Sequence, residues 1–247
     1  MLNLKGIFVT GTDTGVGKTV LSAALGWTLQ EAGKKVAVMK PIQTGIESGE
    51  VLDIEFVQMV LGSNHPLDLV CPYRFPAPLA PLVAARLAGE KIEIEKIKDA
   101  FYKLSSSHDL VLVEGAGGLL VPIICNYFMS DLVSDLGLPV IIVARPGLGT
   151  LNHTALTAGA ARSRGLEVLG IVINGFPSNP GLSERTNPET MIQITGVPIL
   201  GVLPYDPELS VGEGRVGRIR ELAPASFSPQ FGGNLSIDGF LAQLSKY

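Results

Sequence analysis

The sequence predicts an α/β protein with a mostly parallel sheet and helices on both of its faces. Three observations carry that expectation. Short runs rich in Val and Ile alternate with helical patterns, as strands buried on both sides require. The 247 residues are 46% hydrophobic and only 17% charged, enough apolar material for one large domain with a substantial core. A glycine-rich turn joins the first apolar run to the first helical stretch.

Taken in order, the expected strands are Gly6–Thr10, Lys35–Lys40, Leu110–Glu114, Val140–Ala144, Val168–Asn174 and Ile199–Leu203. The expected helices are Lys18–Ala32, Asp53–Leu61, Ala80–Leu87, Glu93–Ser105, Asp131–Leu136, Leu151–Arg164 and Pro188–Thr195, with a last one over Ser236–Leu244. Gly33, Gly137 and Gly165 follow helices where a left-handed cap is wanted. Asp206 to Asn234 is rich in Gly, Pro and Ser without a clear period and reads as loop or lid. No repeat is evident, and residues 1–247 are expected to form a single domain.

Composition narrows the function. Net charge is −4 and the 19 Lys and Arg residues are scattered, so no basic field favours nucleic acid. Cys71 and Cys125 give neither a disulfide framework nor a metal spacing. No secretory signal is visible, and Glu114, Pro122 or Arg145 interrupts the most apolar stretches, so none reads as a membrane span. A cytoplasmic, soluble protein is the expectation.

In doubly wound sheets ligands collect beyond the carboxyl ends of the strands, and four polar clusters fall there. The first is Gly11-Thr12-Asp13-Thr14-Gly15-Val16-Gly17-Lys18-Thr19, a strand-to-helix turn that aims backbone N–H groups at one point. Lys18 would reach a terminal phosphate and the Thr19 hydroxyl would ligate Mg²⁺. Counted back from Gly17, the first glycine of a common phosphate loop falls on Thr12, whereas the glycine here is Gly11. The loop is one residue longer. The second cluster, Lys40-Pro41-Ile42-Gln43-Thr44-Gly45, puts a second cation at a strand end, where it would oppose charge building up on transferring phosphoryl or carboxyl oxygens. The third is Glu114 with Gly115, Ala116, Gly117 and Gly118: a carboxylate for Mg²⁺ or its water, beside glycines that let backbone approach phosphate. Asp53 is a further candidate acid, although acids are ordinary at a helix start. The fourth runs from Gly147 to Thr154. Its helix start either binds a carboxylate, with Thr150 and Asn152 adding contacts, or is capped by Thr150 with no ligand. His153 is a lone helical histidine, a type more often structural than catalytic.

Together these clusters resemble the dethiobiotin synthetases, carbon-dioxide-using ring-closing enzymes with a P-loop NTPase fold. Pro72 to Leu82 resembles a further family segment, with Ala80 in place of its usual serine, and the similarity runs in order from about Gly6 to Pro204. The longer first loop is a family trait. The resemblance implies that 7,8-diaminononanoate, CO₂ and ATP give dethiobiotin, ADP and phosphate, through a carbamate and a carbamic–phosphoric anhydride. It implies that Thr14, Gly15, Val16, Gly17, Lys18, Thr19 and Val20 surround the triphosphate, and that Lys18 bridges its β- and γ-oxygens. Thr19, Asp53 and Glu114 would hold Mg²⁺, and Lys40 would stabilise the carbamate and the developing anhydride. Gly115, Ala116 and Gly117 would adjoin the nucleotide, Asn174 and Gly175 would reach adenine, and Pro204, Tyr205 and Asp206 would line the base. Thr44 would bind the substrate; Thr150, Leu151, Asn152 and His153 would take its carboxylate across a homodimer interface. Gly15 stands where some relatives carry Glu, which removes one polar contact near the phosphates. The alternative is a switch ATPase of the partition and septum-positioning type. Those proteins carry a lysine five residues before the loop's last lysine, and Asp13 occupies that position here.

Overall fold

Runs such as Ile7-Phe8-Val9 and Val140-Ile141-Ile142-Val143 have no polar face to give to water, so both faces of their sheet must be covered. In the computed structural model, which describes residues 6–227 together with Gly239 and Phe240, they are. β1 (Gly6–Gly11) leads through the glycine turn into α1 (Lys18–Glu31). β2 (Val36–Met39), β3 (Ile42–Thr44), α2 (Asp53–Leu61), the single turn α3 (Leu67–Val70) and β4 (Tyr73–Phe75) follow. α4 (Pro81–Ala88) and α5 (Ile94–Ser107) precede β5 (Leu110–Glu114), and a short hairpin, β6 (Pro122–Ile124) with β7 (Tyr127–Phe128), precedes α6 (Met129–Leu136). β8 (Val140–Ala144), α7 (Thr150–Ser163), β9 (Val168–Phe176), α8 (Leu182–Thr195) and β10 (Ile199–Pro204) complete the main alternation, ahead of β11 (Leu209–Ser210), β12 (Arg215–Val216) and α9 (Ile219–Ser226).

The main sheet has the order β10-β9-β8-β1-β5-β2, and every neighbouring pair in it is parallel. β1 lies between β5 and β8, and all six of its residues are buried. The chain leaves β1 toward β5 and β2, then crosses over β1 to reach β8. That reversal opens a crevice at the carboxyl ends of β1 and β5, beside the glycine turn and Glu114. Each of the six expected strands is present, within one or two residues at its ends.

Four expectations need correction. α8 begins at Leu182, not at Pro188, which sits inside it. The buried Asn187 amide donates to Pro146 O at 2.7 Å and holds this turn against the loop after β8, so tertiary contact outweighs the proline. Thr150 does not cap α7: Gly149 occupies the cap position with φ 88°, and the Thr150 hydroxyl is fully buried without a hydrogen-bond partner among the described residues. The segment from Asp206 is not an irregular loop: it forms the β11–β12 hairpin and α9. The Asp206 carboxylate accepts from the N–H groups of Glu208 (3.0 Å) and Arg218 (2.7 Å), pinning the base of the β11–β12 hairpin. α9 then buries Ile219 and Ala223, and Phe227 follows them into the core. Arg220 donates to the carbonyls of Met59 and Val60 at the end of α2 and lies over the Trp27 ring. Residues 228–234 of the expected loop or lid lie outside the described residues. So does the expected helix Ser236–Leu244, except for Gly239 and Phe240, which are helical. Finally, the two-stranded ladders β3–β4 and β6–β7 were not expected, because strands of two or three residues leave no period to read. Among the described residues no helix is long and apolar enough to cross a membrane.

Candidate active site

The glycine turn sets the geometry. Gly17, the N-cap of α1, has φ 96°, and a Cβ there would lie 1.9 Å from the Asn174 amide nitrogen, so only glycine fits. Asn174 donates to Val16 O at 3.1 Å, tying the end of β9 to the turn. Lys18 and Thr19 therefore start α1 with their side chains over the carboxyl ends of β1 and β5. The Lys18 ammonium folds back onto Asp13 O at 3.1 Å. The Thr19 hydroxyl donates to Glu114 Oε1 at 2.8 Å.

Lys40, one residue past β2, meets the same carboxylate. Its Nζ is 2.8 Å from Glu114 Oε1 and also bonded to Asp53 Oδ2. Asp53 opens α2, where its N–H donates to Gln43 Oε1 at 3.1 Å. Thus Asp53 and Glu114 meet on Lys40, and Thr19 joins them through Glu114, so three oxygen-bearing side chains from three elements come together. Glu114 is only 1% exposed and Lys18 and Lys40 each 7%, so these charges interact with little solvent screening.

The two lysines differ electrostatically. Burial depresses the Lys18 ammonium below the usual lysine range, the attraction of Glu114 only partly offsets it, and the like charge of Lys40 adds to the depression. For Lys40 burial acts the same way, but Glu114 and Asp53 at contact distance outweigh it and hold the ammonium above that range. Lys40 is a satisfied cation. Lys18 is an under-compensated one, suited to an anion with several charges. Cys71 is buried, and burial pushes its thiol up to about 12, so it is no nucleophile at neutral pH.

The two lysines, Thr19 and the two carboxylates line a cleft of about 750 Å³. It brings together Thr14, Gly15, Gly17, Lys18, Thr19, Val20, Lys40, Thr44, Asp53, Glu114, Ala116, Gly117 and Asn174 from the sequence-based set. Val16 is buried beneath the turn and contributes the carbonyl held by Asn174. Gly115 does not face the cleft: its N–H donates to Val9 O, and a Cβ would lie 2.8 Å from the Phe8 ring, so packing explains this glycine. Gly175, Pro204, Tyr205 and Asp206 lie off the cleft wall; Tyr205 is largely exposed and Asp206 closes its own hairpin. Thr150, Leu151, Asn152 and His153 are not among its lining residues either. His153 Nδ1 accepts from Arg145 at 3.1 Å. The sequence reasoning missed Val121, Val211 and the Pro78–Pro81 wall as cleft residues. Pro78 to Pro81 sit in the family-like segment and were within reach; Val121 and Val211 carry no chemical signal.

Comparison with known proteins gives the family and the fold. A family model described as an AAA domain matches residues 5–212. The chain is 47% identical over 204 residues to the ATP-dependent dethiobiotin synthetase BioD of Bacillus licheniformis, covering 81% of this chain and 86% of that protein. It is 44% identical to the protein of the same name from Anaeromyxobacter sp. strain K, covering 84% and 93%, and 43% identical to that of Bacillus subtilis strain 168, covering 81% and 87%. Among solved structures, the MinD cell division protein of Aquifex aeolicus superposes with a TM-score of 0.54 at 19% identity over 88% of this chain and 94% of that one. A ParA family ATPase of Chlorobium tepidum gives 0.51 at 15% over 90% and 98%. At such identities these two likenesses show the fold alone.

Proposed function

The chain belongs to the dethiobiotin synthetase family, and from that premise we propose how its cleft performs an ATP-dependent ring closure on 7,8-diaminononanoate and CO₂. The observation that carries the reading is the meeting of Lys18 and Lys40 in one cleft, with Glu114 between Thr19 and Lys40.

One amine of the substrate takes up CO₂ as a carbamate, whose oxygen attacks the γ-phosphorus of ATP. ADP leaves, and a carbamic–phosphoric anhydride remains. The second amine attacks the anhydride carbon, phosphate departs and the cyclic urea closes. Every step builds or moves negative charge on oxygen, and fixed cations in a water-poor site lower its cost. Lys18, released from Asp13 O, takes the β- and γ-oxygens. Lys40 holds the carbamate oxygens, with Glu114 and Asp53 keeping its ammonium charged and aimed. The N–H groups of the turn from Thr14 to Thr19 surround the phosphates at the start of α1. No side chain need form a covalent intermediate, in keeping with a cleft that has cations and carboxylates but no activated nucleophile.

The Thr19 hydroxyl and the Asp53 and Glu114 carboxylates are hard oxygen donors of the kind Mg²⁺ takes, and the bound ion would supply neutralisation of the phosphate oxygens. Thr44 lies on the substrate wall. The start of α7 takes the substrate carboxylate from the partner copy of a homodimer. Its position off the cleft supports this, as does an apolar groove of about 360 Å³ along α7, lined by Leu120 and Leu156, both more than half exposed. A cytoplasmic location, Asn174 toward adenine and a single P-loop ligase domain complete the proposal.

Purified protein with Mg²⁺-ATP and bicarbonate is expected to release phosphate only when the diamine is added. Equal release without it, or stimulation by DNA or lipid, would favour the switch-ATPase alternative.

A further inference from the structure

Among the described residues no three His, Cys, Asp or Glu side chains gather to hold a metal ion, but away from the cleft two histidines meet. His65 lies between α2 and α3, and His108 is the C-cap of α5. Both are half-buried; their Nε2 atoms are 3.2 Å apart and their ring planes meet at 63°. The Nδ1 of His108 lies 2.9 Å from Leu104 O. A carbonyl only accepts, so this Nδ1 carries the proton and Nε2 presents its lone pair. The chain has three histidines, and the third, His153, is engaged by Arg145 far along the sequence.

We propose that His65 and His108 form a two-imidazole site for a borderline transition-metal dication, with Zn²⁺ as the type ion and water completing its coordination. At a metal–nitrogen distance of about 2.0–2.1 Å, two imidazole nitrogens on one ion lie about 3.3 Å apart at a tetrahedral angle and about 2.9 Å apart at a right angle. The observed 3.2 Å falls between these. The Leu104 carbonyl supplies the outer-shell contact that metal-bound imidazoles use to fix ring and tautomer. Both backbones are held before any metal arrives. The His65 N–H is bonded to Gln58 Oε1, and Asp109, next to His108, accepts the Lys35 N–H at 2.8 Å. Imidazole pairs suit Zn²⁺, Cu²⁺ and Ni²⁺, whereas the carboxylate–hydroxyl set of the cleft suits Mg²⁺. The two sites therefore differ in the ion they choose.

Binding exchanges one N–H···N hydrogen bond for two metal–nitrogen bonds. The His65 proton passes through solvent to its own Nδ1, the ring stays neutral, and two metal-bound waters leave.

Calorimetric titration of the full-length protein with Zn²⁺, without Mg²⁺ or nucleotide, tests the site. One saturable site per chain is expected, weakened at least about tenfold in His65→Gln and in His108→Gln, as loss of a ligand should cost no less than loss of its outer-shell partner. His153→Gln and Cys125→Ser should bind as the wild type does. Dethiobiotin formation with Mg²⁺-ATP should be unchanged in both site variants, which also shows that they fold. Electron paramagnetic resonance with Cu²⁺ should report two imidazole nitrogens in the wild type and one in His65→Gln. Undiminished Zn²⁺ affinity in both histidine variants, or a Cu²⁺ spectrum without two imidazole nitrogens, would overturn the proposal.

Discussion

Lys18 and Lys40 lie buried in one cleft, each with oxygen partners from its own chain, whereas Thr150 to His153 start a helix that does not reach that cleft. At the first region every charged group has a partner. At the second, the Thr150 and Thr154 hydroxyls are buried without hydrogen-bond partners among the described residues, and Leu148 beside them is 89% exposed. A site assembled within one chain is complete before its ligand arrives, because Glu114 must satisfy Lys40 and Thr19 for the core to close over them. A site meant to be finished by a second copy has no such constraint and can leave apolar surface and helix N–H groups unused. On this reading the phosphate end belongs to one subunit and the carboxylate end to two.

The difference can be broken at several points. Lys18→Ala is expected to lower kcat by at least ~10²-fold, the usual cost of removing one preorganised charge-stabilising group. Melting temperature should not fall, since burial already disfavours this ammonium. Lys40→Gln should also lower kcat, but with a stability loss of about 3 kcal/mol, because it leaves Glu114 and Asp53 without their cation. Lys40 has a raised pKa in the fold, so the pair's contribution is full below the ordinary lysine range and is lost only as pH rises through the higher folded value. Denaturant melts should show a gap between wild type and Lys40→Gln that is constant near neutrality and narrows in strong alkali. Mixing Lys18→Ala chains with Asn152→Ala chains should restore turnover that neither has alone, because one heterodimer site then carries Lys18 from one copy and Asn152 from the other. No recovery on mixing would place the whole site in one subunit.

The smallest effect is expected at Asp206. Asp206→Ala should cost about 1–2 kcal/mol by releasing two backbone N–H groups, with kcat little changed. Burial would raise the Asp206 carboxyl, yet the Arg218 and Glu208 N–H bonds win and lower it. Its contribution is therefore present above the ordinary carboxylate range and disappears as pH falls through the depressed folded value. Acid melts of wild type and variant should converge there.

The same contrast explains what could be read from sequence. The six main strands were legible because two-sided burial forces uninterrupted Val and Ile, as in Val140–Ala144. Lys40 and Glu114 were legible because a charge ending such a run sits at a strand end, and Lys18 because it follows the glycines of a strand-to-helix turn. Gly115 looked like part of a phosphate cradle, but its missing side chain makes room for Phe8, a contact between β1 and the end of β5 that no local pattern encodes. Capping by Thr150 was one of two readings of this helix start, but Gly149 holds the cap position and has no side chain to accept from the first N–H groups. The hairpin after β10 was illegible for a simpler reason: its order comes from Asp206 reaching twelve residues ahead to Arg218.

The most direct test of the account is product analysis with ¹³C-bicarbonate, Mg²⁺-ATP and 7,8-diaminononanoate. A labelled cyclic urea formed together with equimolar ADP and phosphate is the predicted result. ATP cleaved at full rate with no label in any ring would contradict it.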